Sequence, residues 1–293
     1  MSFLRKSFLS RGASALFAVS LIYGVSAIIY RLIGLEFGVF YTTLTRNIIM
    51  FAIACMIVLA LKQWLPILSG DIRWFALLGA AGALANATFF LALNLLPIGT
   101  ALFFFYACAT IASFAYGILF FAERTTPHAY VGLILGISGL IVLFSETVRY
   151  APILFIVIAC LAGILEATWN IFSKKISSRY PLAQILAIDA AIAAIISLAI
   201  VLLTGEKILP PSFTTSWIAI FASSITVLAG SYLIIFGYRY MEAHRGSIIL
   251  LLEVVFGSIF AFLLFNESLS SYTIAGGLLI GAGVIVMNYN NRP

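Results

Sequence analysis

Long apolar runs separated by short polar connections follow one another along the whole chain. They lie near 12–30, 38–61, 74–93, 98–121, 128–145, 152–173, 182–203, 214–237, 245–265 and 271–288. Each runs to about 20 residues, the helix length that crosses a ~30 Å hydrocarbon core. The runs are continuous rather than alternating, which predicts helices and argues against barrel strands. Pro66, Pro97, Pro127, Pro152, Pro181, Pro210 and Pro211 fall in connections or at helix starts, where a missing N–H costs little. The connections leave no room for a soluble domain. The pattern predicts an all-α polytopic membrane protein of ten helices.

One stretch is said twice. "LFFAERTTPHAYVGLILGISGLIV" from Leu119 and "LLFNESLSSYTIAGGLLIGAGVIV" from Leu263 align without a gap at a spacing of 144 residues. Identities include Glu123/Glu267, Gly132/Gly276, Leu135/Leu279 and Gly139/Gly283. The shift carries the first helix onto the sixth and the fifth onto the tenth. Five is odd, so the second copy enters the membrane from the opposite side. Residues 1–145 and 146–293 are therefore expected to be two inverted five-helix repeats of one transport unit. Such symmetry is the physical basis of alternating access.

Composition agrees: 63% of residues are apolar and 9% charged, with a mean hydropathy of +1.17. The net charge of +6 is spread over connections, which speaks for membrane topology rather than for nucleic acid. With the N-terminus inside, the cytoplasmic side receives twelve basic residues and the outside three, Arg31, Arg149 and Lys207. That bias predicts both termini in the cytoplasm, in a bacterial-type inner membrane. Arg5, Lys6 and Arg11 precede an apolar run, and "VSA" at Val25–Ala27 resembles a signal-peptidase site. The run is long enough to span, so an uncleaved first helix is expected. Cys55, Cys108 and Cys160 lie inside apolar runs and read as small core residues. His128 and His244 stand singly at helix starts, so no metal or other cofactor is expected.

Four ionisable residues lie at membrane depth: Arg46, Glu166, Asp189 and Glu253. Burying such groups is costly, which makes each a functional candidate. Arg46 and Asp189 fall at similar depths, each about 12 Å from a helix end at ~1.5 Å per residue, and are expected to form a structural ion pair between the halves. Glu166 and Glu253 have no evident basic partner and could bind a substrate ammonium or carry a proton. Glu253 is the deeper. Tyr23, Asn86, Tyr106, Thr110, Trp169, Asn170, Thr226 and Tyr232 complete an expected pocket for a small amphipathic solute. A structural reading stands beside each: a carboxyl bonded to a backbone carbonyl, an aromatic ring packed in the core.

Glu123, followed by Thr125, Thr126 and Pro127, reads as a cap favouring the positive end of the fifth helix. Glu267 with Ser270 and Ser271 repeats it on the opposite face, and a gating role is the other reading of both. Gly132, Gly136 and Gly139, with Gly276, Gly277, Gly281 and Gly283, form small-residue faces for close helix packing. No Gly-x-Ser-x-Gly elbow or His-Glu-x-x-His motif is present, which leaves an intramembrane enzyme as a remote alternative.

A glutamate closing one helix, then a glycine-rich helix, repeated after five spans, resembles the EamA family of the drug/metabolite transporter superfamily. "TLTRNIIMFAIA" around Arg46 and "LALNLLPIGTALFF" are weaker echoes. The resemblance implies ten helices, a central cavity lined mainly by spans 1, 3, 4, 6, 8 and 9, and spans 5 and 10 at the periphery. Many members carry a Glu-Pro pair on span 9. Here Val254 follows Glu253, so no proline kink is implied. The first-repeat equivalent is Ala109-Thr110, and the embedded glutamate found on span 1 of small multidrug members has its nearest counterpart in Glu166 on span 6. The expected function is secondary transport of small organic metabolites, in the direction of export, with amino acids or related amines as the substrate class the resemblance implies and proton-coupled export of cationic compounds as the alternative. The partners are then the solute, the lipid bilayer and protons, without nucleic acid; monomer and homodimer both stay open.

Overall fold

A computed structural model describes residues 2–33, 37–148, 150–265 and 268–289. Helices α1 (Ser2–Ile33), α2 (Val39–Ala60), α3 (Ile72–Leu95), α4 (Ile98–Phe121) and α5 (Pro127–Phe144) form the first half. The second comprises α6 (Ile153–Phe172), the single turn α7 (Lys174–Ser177), α8 (Leu182–Thr204), α9 (Thr215–Tyr240), α10 (Ala243–Leu250), α11 (Leu252–Phe265) and α12 (Ser271–Tyr289). Among the described residues nine helical segments are long and apolar enough to cross a membrane, and α1 adds a shorter apolar stretch, Arg11–Ser26. The protein is thus an all-helical, polytopic membrane protein. Large apolar residues such as Leu119, Ile153, Leu202, Leu278 and Ile285 are exposed on its outer face, as contact with lipid tails requires.

Proline and threonine set the helix starts. Pro97, Pro152 and Pro181 occupy the N-cap positions of α4, α6 and α8, and Pro127 the first turn of α5. Thr126 and Thr214 cap α5 and α9 by accepting from the N–H of Ala129 and Trp217, satisfying donors that a helix start leaves open.

Helix pairing follows the repeat. α1 packs on α9 as α6 packs on α3, α1 on α11 as α6 on α4, and α2 on α9 as α8 on α3. The pairs α5–α12 and α2–α8 map onto themselves. Within α5–α12, a Cβ on Gly132 would approach the Gly283 carbonyl, and a Cβ on Gly139 the Gly276 carbonyl. The 144-residue shift turns the first of these contacts into the second. Glycine permits that backbone approach, the small-residue packing expected of membrane helices. Gly281 departs from the expectation, because a Cβ there meets nothing within 4 Å.

The ninth span is not one helix. α10 ends and α11 begins around Leu251, where the Leu251 N–H bonds to the Ile248 carbonyl and the Val254 N–H to that of Leu251, both at 3.2 Å. Such i→i+3 bonds tighten the turn, and a tightened turn inside a helix often marks a hinge. No proline or glycine causes it; the local sequence is "IILLLEV". Leu251 is 1% exposed and, with Ile248, presses on the space over Gly136 of α5. The Ile249 carbonyl at the break accepts from Ser20 Oγ of α1 at 3.0 Å.

Candidate functional site

α1, α4, α6, α9, α10 and α11 enclose a central cavity of about 50 Å³. Both candidate glutamates face it, Glu166 from α6 and Glu253 from the first turn of α11, just after the break. Tyr106 of α4 donates its hydroxyl to Glu253 Oε1 at 3.0 Å. Asn170, one turn beyond Glu166, donates Nδ2 to Glu166 Oε1 at 3.3 Å. Tyr23, Thr110, Ser113, Tyr238 and Ser247 add hydroxyls, and Phe105, Ala109, Ile234, Leu250 and Leu251 apolar surface. Among the described lining residues there is no lysine, arginine or histidine. Two buried carboxyls without a fixed countercharge among the described lining residues favour a mobile cation, a proton or an ammonium group. Metabolite sites commonly hold about 300–1,000 Å³, so admitting a whole solute requires this cavity to widen.

A second polar cluster ties the two halves together. Ala122 ends α4 in a left-handed conformation (φ 49°), and the Glu123 N–H bonds back to the Gly117 carbonyl at 3.0 Å. This closing turn aims the Glu123 side chain not at α5 but at the second repeat. Its carboxylate accepts from the Ala243 N–H at 2.8 and 3.0 Å and from Lys174 Nζ, and lies 3.2 Å from His244 Nδ1. Lys174 also donates to the Met241 carbonyl at 3.0 Å. Glu123 therefore caps α10, whose other end is the break beside Glu253; Thr126 caps α5 in its place. Burial of the carboxyl acts to raise its pKa, but the bonds from His244, Lys174 and Ala243 outweigh it and hold the group at about 2. Glu267, the repeat equivalent, lies outside the described residues.

The remaining candidates are placed elsewhere. Arg46 and Asp189 form no ion pair with each other among the described contacts. Arg46 donates to Asn86 Oδ1 at 3.0 Å, and Asp189 accepts from Trp169 Nε1 at 2.9 Å. Similar depth along two helices did not fix the rotation of each about its own axis. Asn86 and Trp169 are thereby spent on those contacts and do not line the cavity. Thr226 bonds back to the Ala222 carbonyl of its own helix at 2.8 Å, and Tyr232 is 44% exposed on the outer face of α9. Tyr23, Tyr106, Thr110, Glu166, Asn170 and Glu253 all line the one cavity.

Residues 153–289 match the model of the EamA-like transporter family. This part of the chain is similar to the EamA-like transporters. A solved crystal structure of a protein superimposes on 94% of the present chain and 97% of its own, with a TM-score of 0.80 and 19% identity. That similarity shows a shared fold over nearly the whole molecule. No curated protein sequence matches the chain. The family and the apolar helices make the protein a membrane transporter of the drug/metabolite type, which acts on a small-molecule solute within a lipid bilayer.

The cavity draws on spans 1, 4, 6, 8 and 9 of the set the resemblance implies, while no residue of span 3 lines it. Sequence reasoning missed Tyr238, Ser113 and Ser247 in the cavity and Lys174 at the Glu123 cluster. Tyr238 sits near the end of α9, in "FGYRY", where an aromatic reads as an interface anchor. The Glu123/Glu267 repeat pointed to a special position, but its partners come from connections that no spacing links to it.

Proposed function

We propose that the transporter moves small amine-bearing organic solutes, amino acids among them, by alternating access through the Glu166–Glu253 cavity, in the direction of export. The observation that carries this reading is the pairing of two cavity carboxyls with the absence of a basic residue among the described lining residues. An ammonium group meets its countercharge there; an anionic solute would not. Aromatic walls from Tyr23, Phe105 and Tyr106 suit an apolar body behind the charge and offer cation–π contact.

Two devices support alternation. The inverted repeat, with division at 145/146, lets each half adopt the other's conformation. The Glu123 cluster clamps the start of α10, while the tightened turn at Leu251 offers a hinge between that clamp and Glu253. On this reading the clamp closes the cytoplasmic end of the cavity, and both termini lie in the cytoplasm of a bacterial-type inner membrane. A carboxyl that binds either a proton or an ammonium makes the two compete, which provides coupling to a proton gradient. Glu253, held by Tyr106, is the coupling candidate.

Proteoliposomes test this reading by competition. Uptake of labelled phenethylamine is expected to be saturable, to be inhibited by other small amines and amino acids, and to ignore carboxylates of the same size. Glu253→Gln is expected to abolish the response to an imposed pH gradient. Preferential uptake of anions would overturn the assignment of substrate class, and an unchanged pH response in Glu253→Gln would remove that residue from coupling.

A further inference from the structure

Two polar atoms of the central cavity stand out because no described residue answers them. Tyr238 is fully buried and Asn170 only 5% exposed. Among the described residues neither the Tyr238 hydroxyl nor Asn170 Oδ1 has a hydrogen-bond partner. A buried polar group without a partner is costly, so native structures rarely leave one unless a ligand or water completes it. Here two occur in one cavity of about 50 Å³, where a few waters or a solute headgroup fit. Both line the cavity together with Glu166, to which Asn170 bonds.

We propose that Glu166, Asn170 and Tyr238 form a three-acceptor subsite that selects primary ammonium groups over N-methylated ones. The inference rests on the amine reading above and deepens it. A primary ammonium carries three N–H donors. The site offers it three acceptors: a Glu166 carboxylate oxygen, Asn170 Oδ1 and the Tyr238 hydroxyl oxygen. The Asn170 side chain is oriented for this role, because its Nδ2 is committed to Glu166 and its oxygen is thereby turned away. Glu253 is not equivalent, since its partner is the Tyr106 hydroxyl and neither unanswered acceptor bonds to it. Methylation keeps the positive charge and removes donors one at a time. A site acting by charge and aromatic contact tolerates that series; a site built of acceptors leaves them unpaired again, and lost hydrogen bonds are what polar sites discriminate best.

The test uses the full-length protein in proteoliposomes and, as probes, phenethylamine and its N-methyl, N,N-dimethyl and N,N,N-trimethyl derivatives. Binding is read as displacement of labelled phenethylamine and as thermal stabilisation in detergent. Expected is a progressive loss along the series, at least tenfold from the primary to the quaternary amine. Tyr238→Phe and Asn170→Leu should shrink that ratio to within about threefold, while Asn170→Asp, which retains an acceptor, should preserve it; monodispersity on size exclusion identifies any variant that has misfolded. Equal binding of all four amines by the natural protein would overturn the subsite and leave the amine carrier standing. A preference that survives in both Tyr238→Phe and Asn170→Leu would overturn the assignment to these residues. Binding of none of the four would remove the amine reading itself, and the subsite with it.

Discussion

Glu123 joins a connection of the first repeat to the start of α10 in the second, through Lys174, His244 and the Ala243 amide. Removing one partner of a buried ion pair leaves an uncompensated charge and costs roughly 3–5 kcal/mol. Lys174→Met is therefore expected to lower the thermal midpoint in detergent more than Lys175→Met, whose ammonium is exposed and contacts the Phe120 carbonyl. The carboxyl of Glu123 titrates at about 2 against an ordinary 4.5. Its contribution is complete above the unfolded value and is lost as pH falls from there toward 2. Thermal midpoints measured between pH 5 and pH 3 should fall less steeply in Glu123→Gln than in the natural protein, and identical slopes would contradict that account. At this scale the sequence was half legible. Glu166 and Glu253 announced themselves as charges at membrane depth, whereas Glu123 read as a cap for the wrong helix, because the left-handed turn at Ala122 that redirects it has no glycine to signal it.

Between helices, glycine and one serine set the contacts that matter. Gly139 and Gly276 meet backbone to backbone across α5 and α12, so Gly139→Leu or Gly276→Leu should separate the helices and reduce the yield of monodisperse protein. Gly281→Ala, with open space above it, should behave as the natural protein does. Ser20 supplies a hydrogen bond to the carbonyl exposed by the break at Leu251. Ser20→Ala is expected to cost about 1–2 kcal/mol and to raise hydrogen exchange in residues 248–254 above that of the rest of the span. The other spans were legible to within a few residues, because apolar length and proline placement fix them locally, whereas α1 begins at Ser2, ten residues before the apolar run near 12–30. The break in the ninth span was not. Leu251 and Ile248 pack over Gly136 there, and no proline or glycine in the local sequence marks the break.

For the whole molecule, the 144-residue spacing relates the observed helix pairs to one another. It carries α1 against α9 onto α6 against α3 and leaves α5 against α12 in place, the symmetry on which the proposed exchange of repeats rests. Rotation of each helix about its axis was beyond the sequence, which is why Arg46 and Asp189 were matched by depth yet found other partners. A molecule built this way should carry solute in both directions across one cavity, with the Glu123 clamp open in one state and closed in the other. Weakening the clamp by Glu123→Gln should therefore raise exchange relative to net gradient-driven accumulation. Counterflow tests the central claim most directly: proteoliposomes loaded with unlabelled phenethylamine are diluted into a trace of the labelled compound. Transient accumulation of chemically unchanged label above its external concentration, lost in Glu166→Gln, is the predicted result. Label that only equilibrates, at a rate independent of internal amine, would contradict alternating access through this cavity.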